Sequence, residues 1–249
     1  MFSKTTIKYI QSLQHKKFRD QEGAFIAEGP KLVKELLEGR IFTCRHVYCL
    51  QDWADELSPA LRKNVEGKLT VIRDFELDKI SALTRANLVL AVFDKKTVNP
   101  SPELKGRITL VLDDIQDPGN LGTIIRIADW FGIENVVCSL QTADMYNTKV
   151  VQSTMASLQR VNLLYADVEQ WLRQATGIKK YAAALHGKPL NHFSALKEGI
   201  LIIGNESKGI SDAVLNMADE KVTIPRIGEA ESLNAAVATG VLLYEMVKP

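Results

Sequence analysis

Polar side chains that could hold or activate a ligand stand at three glycine-bearing turns of this chain. The first, Asp113-Asp-Ile-Gln-Asp-Pro-Gly-Asn-Leu-Gly-Thr-Ile-Ile-Arg126, offers the Asn120 amide and the Arg126 guanidinium. The second, Gly204-Asn-Glu-Ser-Lys-Gly209, offers the Glu206 carboxylate between glycines that let backbone approach a ligand closely. The third runs from Ile224-Pro225 to Ser232-Leu-Asn234 and offers a hydroxyl and a second amide. Plainer readings stand beside these: Asn120 and Ser232 as helix N-caps, Arg126 as an exposed charge paired with Asp129 at i+3, and 204–209 as a surface turn. Asn234 is harder to place, because the helix from Leu233 to Val247 is nearly apolar all round. An uncompensated buried amide costs on the order of 1–3 kcal/mol, so Asn234 needs a partner. Gly119-Asn-Leu-Gly122 lacks the following Lys of a Walker loop and the full spacing of a dinucleotide fingerprint, which disfavours a nucleotide-phosphate cradle. Cys44, His46 and Cys49 supply at most three ligands where a closed zinc site needs four, so no metal site is expected.

The elements that position these turns follow from periodicity. Ile108–Leu112, Val136–Cys138, Tyr181–Leu185, Ile200–Ile203 and Val222–Ile224 are brief apolar runs separated by helical stretches, the pattern of a mostly parallel α/β sheet. The turns at 113 and 204 each follow one of these strands, and Leu121, Ile124, Ile125, Ala128 and Phe131 form the buried stripe of a helix closed by Gly132. Earlier, Pro30 opens an amphipathic helix with Leu32, Val33, Leu36 and Leu37 on one face, and His46–Leu50, Leu69–Ile72 and Leu88–Phe93 read as strands of a compact α/β domain. The stretch between Phe93 and Thr109, with Pro100, Pro102, Gly106 and clustered charges, has little to bury and reads as a linker. The organisation predicted is a domain over 1–98, a linker over 99–106 and a second domain over 107–249.

The 249 residues, 46% hydrophobic and 24% charged, describe an ordinary globular chain. A formal net charge of +1 argues against a polyanion as partner until the chain is divided. Residues 1–105 hold 18 Lys/Arg against 14 Asp/Glu, and 106–249 hold 13 against 16. Residues 1–19 carry Lys4, Lys8, Lys16, Lys17 and Arg19 and no acid, a segment suited either to phosphate contact or to a solvated helix. Trp53, Trp130 and Trp171 are expected as packing residues. Three cysteines that cannot all pair, no apolar signal after Met1 and no run long enough to span a bilayer predict a cytoplasmic protein without a membrane partner.

Taken in order, Asn120-Leu-Gly-Thr-Ile-Ile-Arg126, Gly204-Asn-Glu-Ser-Lys-Gly209 and Ile224-Pro…Ser232-Leu-Asn234 resemble the three motifs of the SpoU–TrmH family of RNA ribose 2′-O-methyltransferases. Arg19-Asp-Gln-Glu-Gly-Ala-Phe-Ile-Ala-Glu-Gly29 is similar to the start of that family's ribosomal-protein-like RNA-binding module, so the resemblance spans most of the chain. It implies an α/β-knot domain, a trefoil-knotted and mostly parallel sheet, that binds S-adenosyl-methionine (AdoMet), preceded by a small α/β RNA-binding domain. It also implies a homodimer with the site at the interface and needs no metal. Residue by residue, Arg126 matches the family's catalytic arginine, and Asn120, Glu206, Ser232 and Asn234 match its other polar site positions. Gly204, Ile224 and Leu233 match cofactor-holding positions, and Leu185, His186 and Gly187 border them. Lys4, Lys8, Lys16, Lys17 and Arg19 are the RNA-contact candidates.

Ribosomal RNA is favoured over transfer RNA by the separate N-terminal domain. Two other readings are methylation of a base and a non-catalytic RNA-binding or assembly factor. The chain departs from the family where a glycine is usual within Ser153–Arg160, where Ala235 replaces a frequent Val, and in the wording of 84–91.

Overall fold

The computed structural model describes residues 2–247 and comprises two units. One is the chain up to Thr97 together with Tyr146–Gln159; the other is Val98–Met145 with the chain from Arg160 onward.

The first unit opens with helices α1 (Lys4–Ser12) and α2 (Lys16–Glu22), followed by β1 (Ala24–Glu28), α3 (Pro30–Gly39), β2 (Cys44–Cys49), α4 (Gln51–Asp55), α5 (Pro59–Asn64), β3 (Leu69–Val71), α6 (Asp74–Ile80) and β4 (Val89–Asp94). Its sheet has the order β1-β4-β2-β3, with β4 antiparallel to both neighbours and β3 parallel to β2. Pro30 at the first position of α3 and the buried stripe Leu32, Val33, Leu36 and Leu37 match the sequence reading. The apolar strand β1, buried along its whole length, adds to the strands read from sequence. Ile10, Leu13, Ile26, Leu77, Ile80 and Leu90 join α1, α6 and the sheet in one core cluster.

The second unit continues with β5 (Ile108–Asp113), α7 (Pro118–Trp130) and β6 (Asn135–Ser139); the chain then passes through α8 (Thr148–Thr154), which belongs to the first unit, before β7 (Asn162–Ala166), α9 (Val168–Gln174), β8 (Lys180–Pro189), β9 (Gly199–Gly204), α10 (Asp212–Leu215), β10 (Glu220–Thr223) and α11 (Ala235–Met246). All six strands are parallel, in the order β10-β8-β9-β5-β6-β7. The central strands β5 and β9 are the near-continuous apolar runs expected of strands covered on both faces. The edge strand β7 is half-buried and lacks so plain a signal.

Tyr146–Gln159, expected in the second domain, groups with the first for identifiable reasons. The Tyr146 ring lies 4.8 Å from that of Phe25, Gln159 Nε2 donates to Glu35 O at 3.1 Å, and Lys96 Nζ donates to Leu158 O at 2.8 Å. Within this stretch Met155 and Ala156 are left-handed, with φ of 47° and 67°.

Candidate active site

The turn after β5 leads directly into α7. Its N-cap is Asp117, whose Oδ1 accepts the Asn120 N–H at 2.8 Å, and Pro118 occupies the first helical position. Asn120 therefore lies inside the first turn and is not the cap that the sequence suggested. The Asp-Pro pair was the better boundary signal, because proline at the first helical position lacks only an N–H that would be unsatisfied anyway. With capping done by Asp117, the Asn120 side chain is available elsewhere. Its Nδ2 donates to Glu206 Oε1, and its Oδ1 accepts from Asn234 Nδ2 at 2.8 Å.

Asn234 resolves its own difficulty by standing at the N-cap of α11. There its Oδ1 accepts the Ala236 and Val237 N–H groups at 3.0 and 3.2 Å, while the amide itself is exposed. Ser232 is consequently not the cap. One chain of hydrogen bonds, Asn234 to Asn120 to Glu206, thus joins residues from all three turns.

A cavity of about 760 Å³ lies beside this chain, within the 300–1,000 Å³ usual for small-molecule sites. Its walls come from β8, the turn after β9 and the segment leading to α11. Leu185, His186, Gly204, Glu206, Ile224, Ser232 and Leu233, all singled out from sequence, line it.

Two local features shape the cavity. β8 pairs with β10 through Ala182 opposite Lys221 and next through Lys188 opposite Val222, so the stretch 183–187 falls between successive pairings. At the end of β9 the chain doubles back on Gly204, where an added Cβ would sit 2.3 Å from the Gly209 carbonyl carbon and the Ile210 nitrogen. Only glycine permits that approach. Gly187 answers a different need. It does not line the cavity, and a Cβ there would meet the Lys221 carbonyl oxygen at 2.5 Å, so it admits the neighbouring strand.

Arg126 lies apart from the cluster. It is exposed on α7, does not line the cavity and makes no hydrogen bond or ion pair among the described residues. The Asp129 carboxylate accepts a two-pronged bond from Arg160 Nε at 2.9 Å to each oxygen, in place of the expected partnership with Arg126. One turn beyond Arg126, Trp130 is 85% exposed, contrary to the packing role expected for it. α11 also departs from burial on most faces, since Val237, Val241 and Tyr244 are exposed at helical spacing.

In the first unit, Lys4, Lys8, Lys16 and Lys17 are exposed, but Arg19 is only 2% exposed. Arg19 Nη1 donates to the carbonyls of Leu13 and Gln14 at 3.0 and 2.8 Å, satisfying acceptors left over where α1 ends. It is a structural residue, and the expectation of RNA contact is withdrawn for it. The cysteine–histidine cluster is likewise tied into the fold. Burial pushes the Cys44 and Cys49 thiols up to about 11, and His46 Nε2 lies 2.8 Å from Thr70 Oγ1.

Comparison with known proteins identifies relatives along nearly the whole chain. The pattern of the SpoU rRNA Methylase family matches residues 107–244, and that of the MRM3-like substrate binding domain matches residues 4–91. The chain is 31% identical to the 23S rRNA (guanosine(2553)-2′-O)-methyltransferase RlmP of Bacillus subtilis, over 96% of this chain and 95% of that protein. Among solved structures, the SpoU methyltransferase AviRb of Streptomyces viridochromogenes in complex with AdoMet superimposes with a TM-score of 0.84 at 27% identity, covering 98% of this chain and 97% of that one. The AdoMet-bound rRNA methyltransferase of Sinorhizobium meliloti does so with the same TM-score and identity, covering 98% and 95%. The three turns, the parallel sheet beneath them and the match along both units place this chain in the SpoU–TrmH family of RNA methyltransferases.

Proposed function

We propose that this protein transfers a methyl group from AdoMet to a ribose 2′-hydroxyl of ribosomal RNA. The observation that carries the reading is the bonded set Asn234–Asn120–Glu206, whose Glu206 end also lines the cavity. The cavity suits the cofactor: its volume accommodates a nucleoside-sized ligand, and its lining joins apolar side chains such as Ile224 and Leu233 to the backbone of the 204–209 turn, which packs so closely on Gly204 that a Cβ there would overlap Gly209 and Ile210. When bound, AdoMet supplies an electrophilic methyl carbon carried on a cationic sulfonium.

The chain's own residues supply position and charge. Gly204, Ile224 and Leu233, with Leu185 and His186, hold the cofactor by backbone and apolar contacts. Asn120, Glu206 and Asn234 fix the relative placement of the three turns, which matters because in-line transfer draws much of its acceleration from orientation. Arginine as a residue type is a poor general base, because its delocalised guanidinium holds its proton; a different part suits Arg126. Its fitting role is to bind the phosphate beside the target ribose and stabilise charge developing on the 2′-oxygen. The hydroxyl proton then passes to a phosphate oxygen or to water, with Ser232 able to relay it, as the O–C bond forms and the S–C bond breaks.

A second copy of the chain fits the same reading. Trp130 at 85% exposed and Tyr244 at 71%, with Val237 and Val241, give an apolar face along α7 and α11, the helices that begin at the first and third turns. A homodimer sharing that face would put the site at its interface. The family's knotted path is proposed for the second unit; the all-parallel order β10-β8-β9-β5-β6-β7 supports it. Lys4, Lys8, Lys16 and Lys17 suit the first unit to RNA phosphates. Similarity to RlmP along nearly the whole of both chains supports ribosomal over transfer RNA.

The test is incubation with methyl-labelled AdoMet and unmodified ribosomal RNA, digestion to nucleosides and location of the label. Label on ribose is expected. Label on a nucleobase, or no incorporation into ribosomal RNA, overturns the proposal.

A further inference from the structure

At the end of β5, next to Asp113, the chain makes an unusual turn at Asp114. Its φ is 61°, one of five left-handed non-glycine residues among the described residues. Aspartate tolerates this conformation better than most side chains, but it is still sparsely populated and is held only where the surroundings determine it.

The surroundings of Asp114 do determine it. Its N–H donates to Ser139 Oγ at 2.9 Å, and its carbonyl accepts from Asn205 Nδ2 at 2.8 Å. Its Oδ1 accepts from Gln116 Nε2 at 2.7 Å, and its Oδ2 lies 3.3 Å from Lys208 Nζ. Asn205 Oδ1 in turn accepts the Ser207 and Lys208 N–H groups at 2.9 and 3.2 Å, which closes the 204–209 turn. Asp114 therefore ties the turn that carries Asn120 to the turn that carries Glu206. Yet it neither lines the cavity nor belongs to the bonded set.

We propose that Asp114 is a positioning residue for methyl transfer: its left-handed turn, steadied by the Gln116 bond to its carboxylate, presents its carbonyl to Asn205 and so holds the 204–209 turn where Glu206 meets Asn120. This rests on the methyltransferase reading above. The Lys208 side chain is 72% exposed, so that ion pair is weak, and the backbone conformation with the Asn205 and Gln116 bonds carries the effect.

The test compares Asp114→Asn, Asp114→Gly and Asp114→Ala with the wild type. Asparagine tolerates the left-handed turn and keeps an acceptor for Gln116, glycine keeps only the turn, and alanine keeps neither. Misplacement of reacting groups by about 1 Å costs on the order of a hundredfold in rate. The expected result for Asp114→Ala is accordingly a kcat lowered about 10- to 100-fold with the KM for RNA within about threefold, an intermediate loss for Asp114→Gly, and kcat restored to within about threefold by Asp114→Asn.

Independently of activity, the side-chain amide NMR signals of Asn120 and Asn234 should move in Asp114→Ala and stay in place in Asp114→Asn. Wild-type kcat and unmoved amide signals in folded Asp114→Ala would overturn the proposal. So would a loss in Asp114→Asn as large as in Asp114→Gly. A wild-type protein without transfer would instead count against the methyltransferase reading, while the amide signals still decide the role of Asp114.

Discussion

The polar residues at the two ends of this chain were placed by different evidence, and the structure treats them differently. In the second unit, position relative to strands and turns selected Asn120, Glu206 and Asn234, and a single chain of hydrogen bonds joins them. In the first unit, charge alone selected five basic residues, and one of them, Arg19, points inward to close α1. A turn after a parallel strand constrains where its side chains go, because the strand end and helix start fix the backbone. A run of like charges on short helices carries no such constraint, and an arginine can serve a helix end as readily as a phosphate.

The largest effect that could break this contrast is expected from Gly204→Val. The new side chain would start 2.3 Å from the Gly209 and Ile210 backbone, so the 204–209 turn must open. AdoMet affinity measured by calorimetry is expected to fall about 10- to 100-fold, which corresponds to the roughly 1.4–3 kcal/mol that overpacking of a close backbone approach costs. Retained affinity would detach the cavity from the cofactor.

Next come Asn120→Ala and Glu206→Ala, each expected to lower kcat by about tenfold or more, with a double variant no worse than about the poorer single one, because residues acting as a unit are not additive. Additive losses in the steady-state rates would mean that the bonded set does not act together.

In the first unit, Arg19→Ala is expected to cost about 1.5–3 kcal/mol in urea unfolding, the scale of hydrogen bonds from a charged donor. Replacing Lys4, Lys8, Lys16 and Lys17 by glutamine should change stability by less than about 0.5 kcal/mol. That quadruple variant should instead flatten the salt dependence of RNA binding, by about 0.7–0.9 in log–log slope for each phosphate that is no longer neutralised. An unchanged slope would return the four lysines to a solvated surface.

Much of this arrangement was legible because the period-2 and period-3.6 patterns are strong where burial is complete. β5, β9, α3 and α7 were read close to their observed bounds. The edge strand β7, half in solvent, gave little contrast. The grouping of Tyr146–Gln159 with the first unit depends on packing such as Tyr146 on Phe25, between residues more than a hundred positions apart, which no local pattern reports.

At the site, the residue types were legible and their partners were not. Asn120 and Ser232 are plausible caps by type, but Asp117 and Asn234 do the capping. Asp114 gave no signal, since its importance lies in a backbone conformation and in bonds to residues 91 and 94 positions away. Trp130 was expected to pack, and the helix after Asn234 is nearly apolar in sequence, yet one face of α7 and α11 remains exposed.

The most direct test of the central claim is methyl transfer by Arg126→Ala, measured on the same protein as AdoMet binding. The expected outcome is ribose methylation reduced by at least about a hundredfold, the scale of losing a charge-stabilising donor, with AdoMet affinity within about threefold of wild type. Wild-type turnover in that variant would contradict the assignment of Arg126 as the charge-stabilising residue of the site.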